Sequence, residues 1–190
     1  GCGTGLLSLK FLNTTDCQIT AIDSSSEMLR IFQEKIEQCN LTGKIHCAQQ
    51  SAEEMDFKPE QFDIIVSTVA LHHVKCKEPV IKKVYDSLKG GGRFVIGEID
   101  MDTTGRLDDP QRLERILKYL TGELALAMKE GGVPAFERMY DNGKKHILND
   151  GEYCIGFNQW KDLCTNAGFK NVNVSPLKGF AWFKVLAATK

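Results

Sequence analysis

Three glycines stand at alternate positions in the opening GCGTG, at Gly1, Gly3 and Gly5, and the next extended run ends on an acid, Asp23, 18 residues beyond the last of them. Without Cβ atoms the backbone turns tightly there and lets a ligand approach closely. A carboxylate at a strand end about twenty residues after such a turn is placed to accept hydrogen bonds from ribose hydroxyls. A helix-entry acid beside Ser24 would account for Asp23 itself, but not for its distance from the glycines. The spacing also separates nucleotide classes. GxGxxG begun at Gly1 needs glycine where Leu6 stands, which demotes NAD, and no Gly-Lys-Ser or Gly-Lys-Thr follows to make a P-loop.

The rest of the chain alternates strand-like and helix-like patterns. Leu6, Leu7, Leu9 and Leu12 predict a short buried helix to about Asn13, and Ile19 to Asp23 a strand. Ser24 and Glu27 form a capping-box pattern, with Met28, Leu29, Phe32 and Ile36 as the apolar face of the following helix. Residues 44–49 read as extended. The continuous run FDIIVS, Phe62 to Ser67, predicts a strand buried on both faces. Pro79 opens a helix with Val80, Val84 and Leu88 inward, Gly90, Gly91 and Gly92 end it, and RFVIGEI from Arg93 to Ile99 is the next strand. Strands alternating with helices imply a doubly wound, mostly parallel α/β sheet. Near the C-terminus Asn158 is a plausible cap for a helix through Trp160, Leu163 and Cys164 that stops at Gly168. Two strands follow, Asn171 to Val174 and Phe180 to Ala187, and so short a connection makes them antiparallel.

Length and charge narrow the class. With 190 residues the chain fits one domain, and 24 Lys and Arg against 25 Asp and Glu offer no field to gather nucleic acid or a membrane, so a small-molecule partner is expected. No apolar run approaches the ~18–20 residues that cross a bilayer. Seven scattered cysteines, an odd number with no CxxC pair, predict free thiols in a reducing cytoplasm. The chain begins without Met on a glycine turn of the kind that follows a strand, so a first strand and a helical segment are expected upstream of Gly1.

Taken in order, GCGTG, AIDSSSEML, QSAEEMDF, FDIIVSTVALHHV, SLKGGGRFVI and the closing FKVLAATK resemble the class I methyltransferase family over almost everything outside residues 100–157. The resemblance implies a Rossmann-like sheet of order 3-2-1-4-5-7-6 with strand seven antiparallel. It also implies S-adenosylmethionine as cofactor, lying across the C-terminal strand ends, where open α/β sheets place their ligands. On this sequence, Gly1, Cys2 and Gly3 would meet the methionine part, Asp23 the ribose, Ser24 and Met28 the adenine surroundings, Ser51 and Ala52 the adenine edge, and Ser67 the region of the sulfonium.

Methyl transfer needs an in-line nucleophile, and positioning with exclusion of water supplies much of the acceleration. If the acceptor must lose a proton, His72 or His73 is the candidate base; as ordinary residues of a strand-to-helix transition, one would be packed and the other solvated. His72, His73 and Cys76 are not expected to hold a metal, because adjacent histidines diverge on regular elements and no fourth ligand is evident. Glu98 and Asp100 could orient a cationic substrate, although strand-end acids are more often solvated. Residues 100–157 form a helical insertion after strand five, with Leu113, Ile116, Leu117, Leu120 and Leu124 on one face of a helix that Gly131 and Gly132 end. A second helix from Pro134 towards Ile147 would bend near Asn142 and Gly143. The insertion serves as a substrate cover or as a homodimer contact, with Tyr140, His146 and Tyr153 as lining candidates. The alternatives are a non-catalytic binding or regulatory module on the same fold and, behind it, an NAD-linked oxidoreductase.

Overall fold

The computed structural model describes residues 1–145, 152–180 and 182–190. His146 and Ile147 lie outside the described residues. The elements are α1 (Leu6–Leu12), β1 (Ile19–Asp23), α2 (Ser26–Gln38), β2 (Ile45–Gln49), β3 (Phe62–Thr68), a one-turn 3-10 helix (Leu71–His73), α3 (Lys77–Ser87), β4 (Leu88–Ile99), α4 (Pro110–Gly143), α5 (Phe157–Ala167), β5 (Lys170–Pro176) and β6 (Phe183–Thr189).

Two ladders carry the fold. β1 and β2 pair in parallel, Ile19 opposite Ile45 through Asp23 opposite Gln49. The second ladder runs β3-β4-β6-β5, with β3 and β4 parallel and β6 antiparallel to both β4 and β5. The antiparallel β6 between β4 and β5 agrees with the one antiparallel strand that was expected. The antiparallel pairing follows from the six residues between β5 and β6, far fewer than the dozen or more that a parallel return requires.

Helices α3 and α5 cover one face of the four-stranded ladder. Val80, Ile81 and Val84 of α3 and Trp160 and Cys164 of α5 pack with Phe94 and Ile96 of β4 and Leu186 of β6. Each large apolar side chain buried here stabilises by about 1.5–3 kcal/mol. Phe32 and Ile36 of α2 close over Ala21 and Ile45 in a second core. A third gathers Ile116, Tyr119 and Leu120 of α4 with Met101 and Cys154.

Several local expectations change in three dimensions. α1 forms but buries none of its residues, and Leu6 is largely exposed. β3 is exposed along part of its length, Ile64 at 49%, and among the described strands it pairs with β4 alone. α2 is capped by Ser25, whose Oγ accepts from Met28 N at 3.3 Å, so Ser24 stays at the strand-helix junction and Met28 faces outward. α3 ends at Ser87, before the three glycines. Those glycines enter β4, where Gly91 N donates to Lys190 O and Lys190 N to Gly92 O, a pairing with the far end of the chain. α5 starts one residue ahead of Asn158. Gln159 Oε1 accepts from Gly156 N at 2.9 Å and Asp100 Oδ1 from Phe157 N at 3.0 Å, so one cap comes from β4's end rather than from the adjoining sequence. In α4 the break at Gly132 (φ 62°) falls where Gly131 and Gly132 were expected to end the first helix, but the second helix then runs through Asn142 to Gly143 without the expected bend. Ile116 and Leu120 point inward while Leu113 and Leu117 remain exposed.

All seven cysteines are free. Burial pushes the Cys154 thiol up to about 12, helped by the charges of Glu152 and Glu98, and burial alone does the same to Cys164. A thiol reacts through its thiolate, so neutral alkylation of the folded chain should modify exposed Cys39 and Cys76 first and spare Cys154 and Cys164 until denaturant is added. Mass mapping checks this, and labelling of Cys154 as fast as Cys76 would contradict the packing.

Candidate cofactor and acceptor site

The glycine loop and Asp23 form one hydrogen-bonded unit. The backbone of Gly1 and Cys2 lies against Ile22 of β1, with Cys2 N donating to Ile22 O at 2.8 Å. Asp23, at the C-terminal end of β1, is buried and accepts from Gly3 N at 2.7 Å through Oδ2 and from Ser25 N at 2.9 Å through Oδ1. One carboxylate therefore ties the loop to the start of α2. The two oxygens offer about four acceptor sites, and these two bonds leave capacity for a ligand's hydroxyls. Gly3 has φ +53° with nothing within 4 Å of where a Cβ would sit, an open cradle. Gly5, by contrast, is enclosed by Phe32.

A second side of the site comes from the loop after β2. Gln49 Nε2 donates to Ser24 O, Ser51 Oγ engages Glu54, and Ala52 packs against the main core near buried Met55. Ser51's hydroxyl is thus engaged within its own turn. At β3's end Ser67 Oγ is buried without a hydrogen-bond partner among the described residues. Val69 follows with φ +50°, a strained conformation for a β-branched side chain, and its N–H donates to Gly97 O at 2.9 Å. Ala70 then meets Gly1 so closely that a Cβ on Gly1 would lie 2.4 Å from the Ala70 Cβ. The glycine loop and the segment after β3 are hence direct neighbours, as a cofactor spanning both requires.

That segment is held from beneath by Glu98. The side chain is 1% exposed, its Oε1 accepts from Ala70 N (2.9 Å) and Leu71 N (2.8 Å), and its Oε2 lies 2.8 Å from His72 Nδ1. His72 is itself buried. Burial, the largest influence, opposes charge on its imidazole, but the hydrogen bond and charge of Glu98, with Glu152 beyond, outweigh it and raise the pKa above 6.5. His73 is exposed, its ring 4.1 Å from that of His72. The two histidines do not diverge. A single 3-10 turn sets both rings towards Glu152, and one ligand atom from each of the three side chains lies within 4.8 Å of the others.

Sequence reasoning missed the participation of Glu152 and Lys77. Tyr153 N donates to His72 O, and buried Lys77 donates through Nζ to Val74 O and Tyr153 O, so the end of the insertion is laced to the segment after β3. Nor are the strand-end acids solvated: Glu98 is enclosed, and Asp100 pairs with Lys184 while capping α5. Tyr140 is exposed on α4, stacked with Phe136, and Tyr153 is exposed beside Lys75. No described helix is long and apolar enough to cross a membrane.

Comparison with known proteins matches residues 1–92 to a family described as a methyltransferase domain. The ubiquinone/menaquinone biosynthesis C-methyltransferase of Haemophilus ducreyi is 33% identical over 178 residues, 90% of this chain and 62% of that protein. Over its first half the chain is similar to a methyltransferase domain, and along most of its length to this C-methyltransferase. The Vibrio parahaemolyticus protein of the same name is 31% identical over 100 residues, covering 52% of the chain and 39% of the relative. The chain thus spans less than two thirds of these methyltransferases. Among solved structures, a Haemonchus contortus phosphoethanolamine N-methyltransferase 2 in complex with S-adenosyl-L-methionine superposes over 100% of this chain and 47% of its own, with TM-score 0.69 and 16% identity. A Mesorhizobium loti S-adenosylmethionine dependent methyltransferase gives TM-score 0.70 at 14% identity, over 100% of this chain and 88% of its own. These likenesses establish the Rossmann-like α/β fold.

Proposed function

We propose that this chain is the methyltransferase domain of an enzyme that moves the methyl group of S-adenosylmethionine to a small-molecule acceptor by in-line displacement. The observation that carries the reading is the Asp23 carboxylate, which joins the Gly3 amide to the start of α2 at the C-terminal edge of β1 and keeps acceptor capacity for a ribose. Around it, the Gly1, Cys2 and Gly3 backbone meets the methionine part. Ser24 and Met28 border the adenine, and Ser51 and the Ala52 backbone its edge. Ser67, whose buried hydroxyl lacks a partner, lies towards the sulfonium. The cofactor supplies an activated methyl and a neutral thioether leaving group; the chain's part is to orient and to exclude water. His72, fixed by Glu98, positions the acceptor-side segment, and exposed His73 meets the acceptor. The insertion around α4 covers that side. Seven free thiols support a reducing, cytoplasmic location.

Calorimetric titration should show S-adenosylmethionine binding and no NAD binding. Asp23→Ala removes charge-assisted hydrogen bonds worth about 1.5–3 kcal/mol, so cofactor affinity should fall roughly 10- to 150-fold. Binding of NAD in place of S-adenosylmethionine, or unchanged affinity in the variant, would overturn the assignment. Transfer of labelled methyl to a panel of phenolic, amine and carbon acceptors then separates an enzyme from a binding module.

A further inference from the structure

We infer that His72, His73 and Glu152 form a binding site for a zinc-class divalent transition metal on the acceptor side of the domain. Two imidazoles and one carboxylate bring a ligand atom each within 4.8 Å of one another, and His72 Nε2 stands 3.9 Å from Glu152 Oε1. A tetrahedral zinc at 2.0–2.2 Å from nitrogen and oxygen ligands would draw such atoms to roughly 3.3 Å apart, a contraction that side-chain rotation at exposed His73 and partly exposed Glu152 can supply. The donor set of two histidines and a glutamate, with a position left open, is that of catalytic rather than closed structural zinc sites.

The second observation lies behind the ligands. Glu98 Oε2 occupies the Nδ1 side of His72 at 2.8 Å and leaves Nε2 directed towards Glu152. A carboxylate bonded to the remote nitrogen is the arrangement that fixes the tautomer and orientation of metal-ligating histidines. The frame is equally built: Tyr153 N donates to His72 O at 2.9 Å, and Thr103 Oγ1 holds Glu152 O at 2.8 Å. Both main-chain segments that carry the ligands are therefore fixed to each other without any metal. With the acceptor present, the open position would take an acceptor hydroxyl and lower its proton affinity so that the proton passes to solvent water, which makes His73 a ligand rather than a base. That last step rests on the methyl-transfer reading. Metal binding itself does not, because it is measured without cofactor or acceptor.

The test is titration of the full chelator-treated chain with cobalt(II), followed by zinc. One equivalent of cobalt should bind with visible d–d absorption and without the near-ultraviolet thiolate-to-cobalt band that the free cysteines would give, and zinc should displace it. His73→Asn and Glu152→Gln should each weaken affinity about tenfold or more, with the urea midpoint unchanged to show that the fold persists. Glu98→Gln should weaken it about 10- to 100-fold while leaving all three ligands in place. A thiolate band, affinity unchanged in both His73→Asn and Glu152→Gln, or no bound cobalt at millimolar concentration would each overturn the site.

Discussion

Gly5→Ala should cost the domain about 2–5 kcal/mol of folding stability, read as a lower urea midpoint at unchanged slope. Gly5 has φ +83°, and a Cβ built there lies 2.0 Å from two ring atoms of Phe32. The left-handed backbone alone costs an alanine about 1–2 kcal/mol, and forcing atoms into a packed core costs about 1–3 more. Phe32 cannot swing aside, since it is fully buried among Ala21, Ile36 and Ile45. Gly3→Ala is the internal control. It carries a similar backbone strain at φ +53° but meets nothing within 4 Å, so its stability loss should stay near the lower figure. Equal losses in the two variants would show that the loop relaxes away from Phe32. Against a total stability of about 5–15 kcal/mol for a domain, the larger loss is a substantial fraction. The same contrast assigns the glycines different work: Gly5 packs the loop onto α2, and Gly3 keeps open the space a ligand would enter.

Much of this architecture was legible because it is written locally. Ile19–Asp23 was read to the residue, and residues 62–67 and 93–99 fall within β3 and β4, since short apolar runs bounded by turn residues leave little choice. The antiparallel end of the sheet followed from a connection too short for anything else. What stayed hidden depends on partners distant in sequence. The helix at Phe157 takes its cap from Asp100, and β4 begins before its glycines because they pair with Lys190. β3 looked doubly buried from its composition, yet burial needs a neighbour on each side, and composition cannot say which neighbours are present. Ser25 displaced Ser24 as a cap because Asp23 takes the Ser25 amide, leaving that serine's own hydroxyl for Met28. At the candidate site the glycine loop and Asp23 were legible from spacing alone. Glu152, which faces His72 from 80 residues away, had no local signature.

Glu98→Ala should be the most damaging single change in the acceptor half, with a loss of about 3–5 kcal/mol in metal-free solution. The carboxylate is almost wholly enclosed and has three partners, Ala70 N, Leu71 N and His72 Nδ1. Truncation leaves two buried amides and an imidazole without their acceptor, and removing one partner of a buried ion pair costs about that much. Glu98→Gln keeps an amide oxygen for the backbone donors but removes the charge, so it should recover part of the loss. The pH dependence separates the two contributions. Because the folded-state pKa of His72 is raised above its ordinary 6.5, the stability gained from its protonated form is fully present below about pH 6.5 and is lost as pH rises through the raised value. The parent chain should therefore lose some stability over that window. In Glu98→Gln, burial acts on His72 with less opposition and the decline should flatten, as urea unfolding at a series of pH values would read out. A parallel decline in both proteins would mean that the pair is not the source of the pH dependence, and Glu98 would then act through its two backbone bonds alone. Either way the strained turn at Val69 and the segment after it depend on this one side chain, since no other described side chain accepts from the amides of Ala70 and Leu71. Loss of Glu98 should thus disturb cofactor binding as well, through Ala70's contact with Gly1.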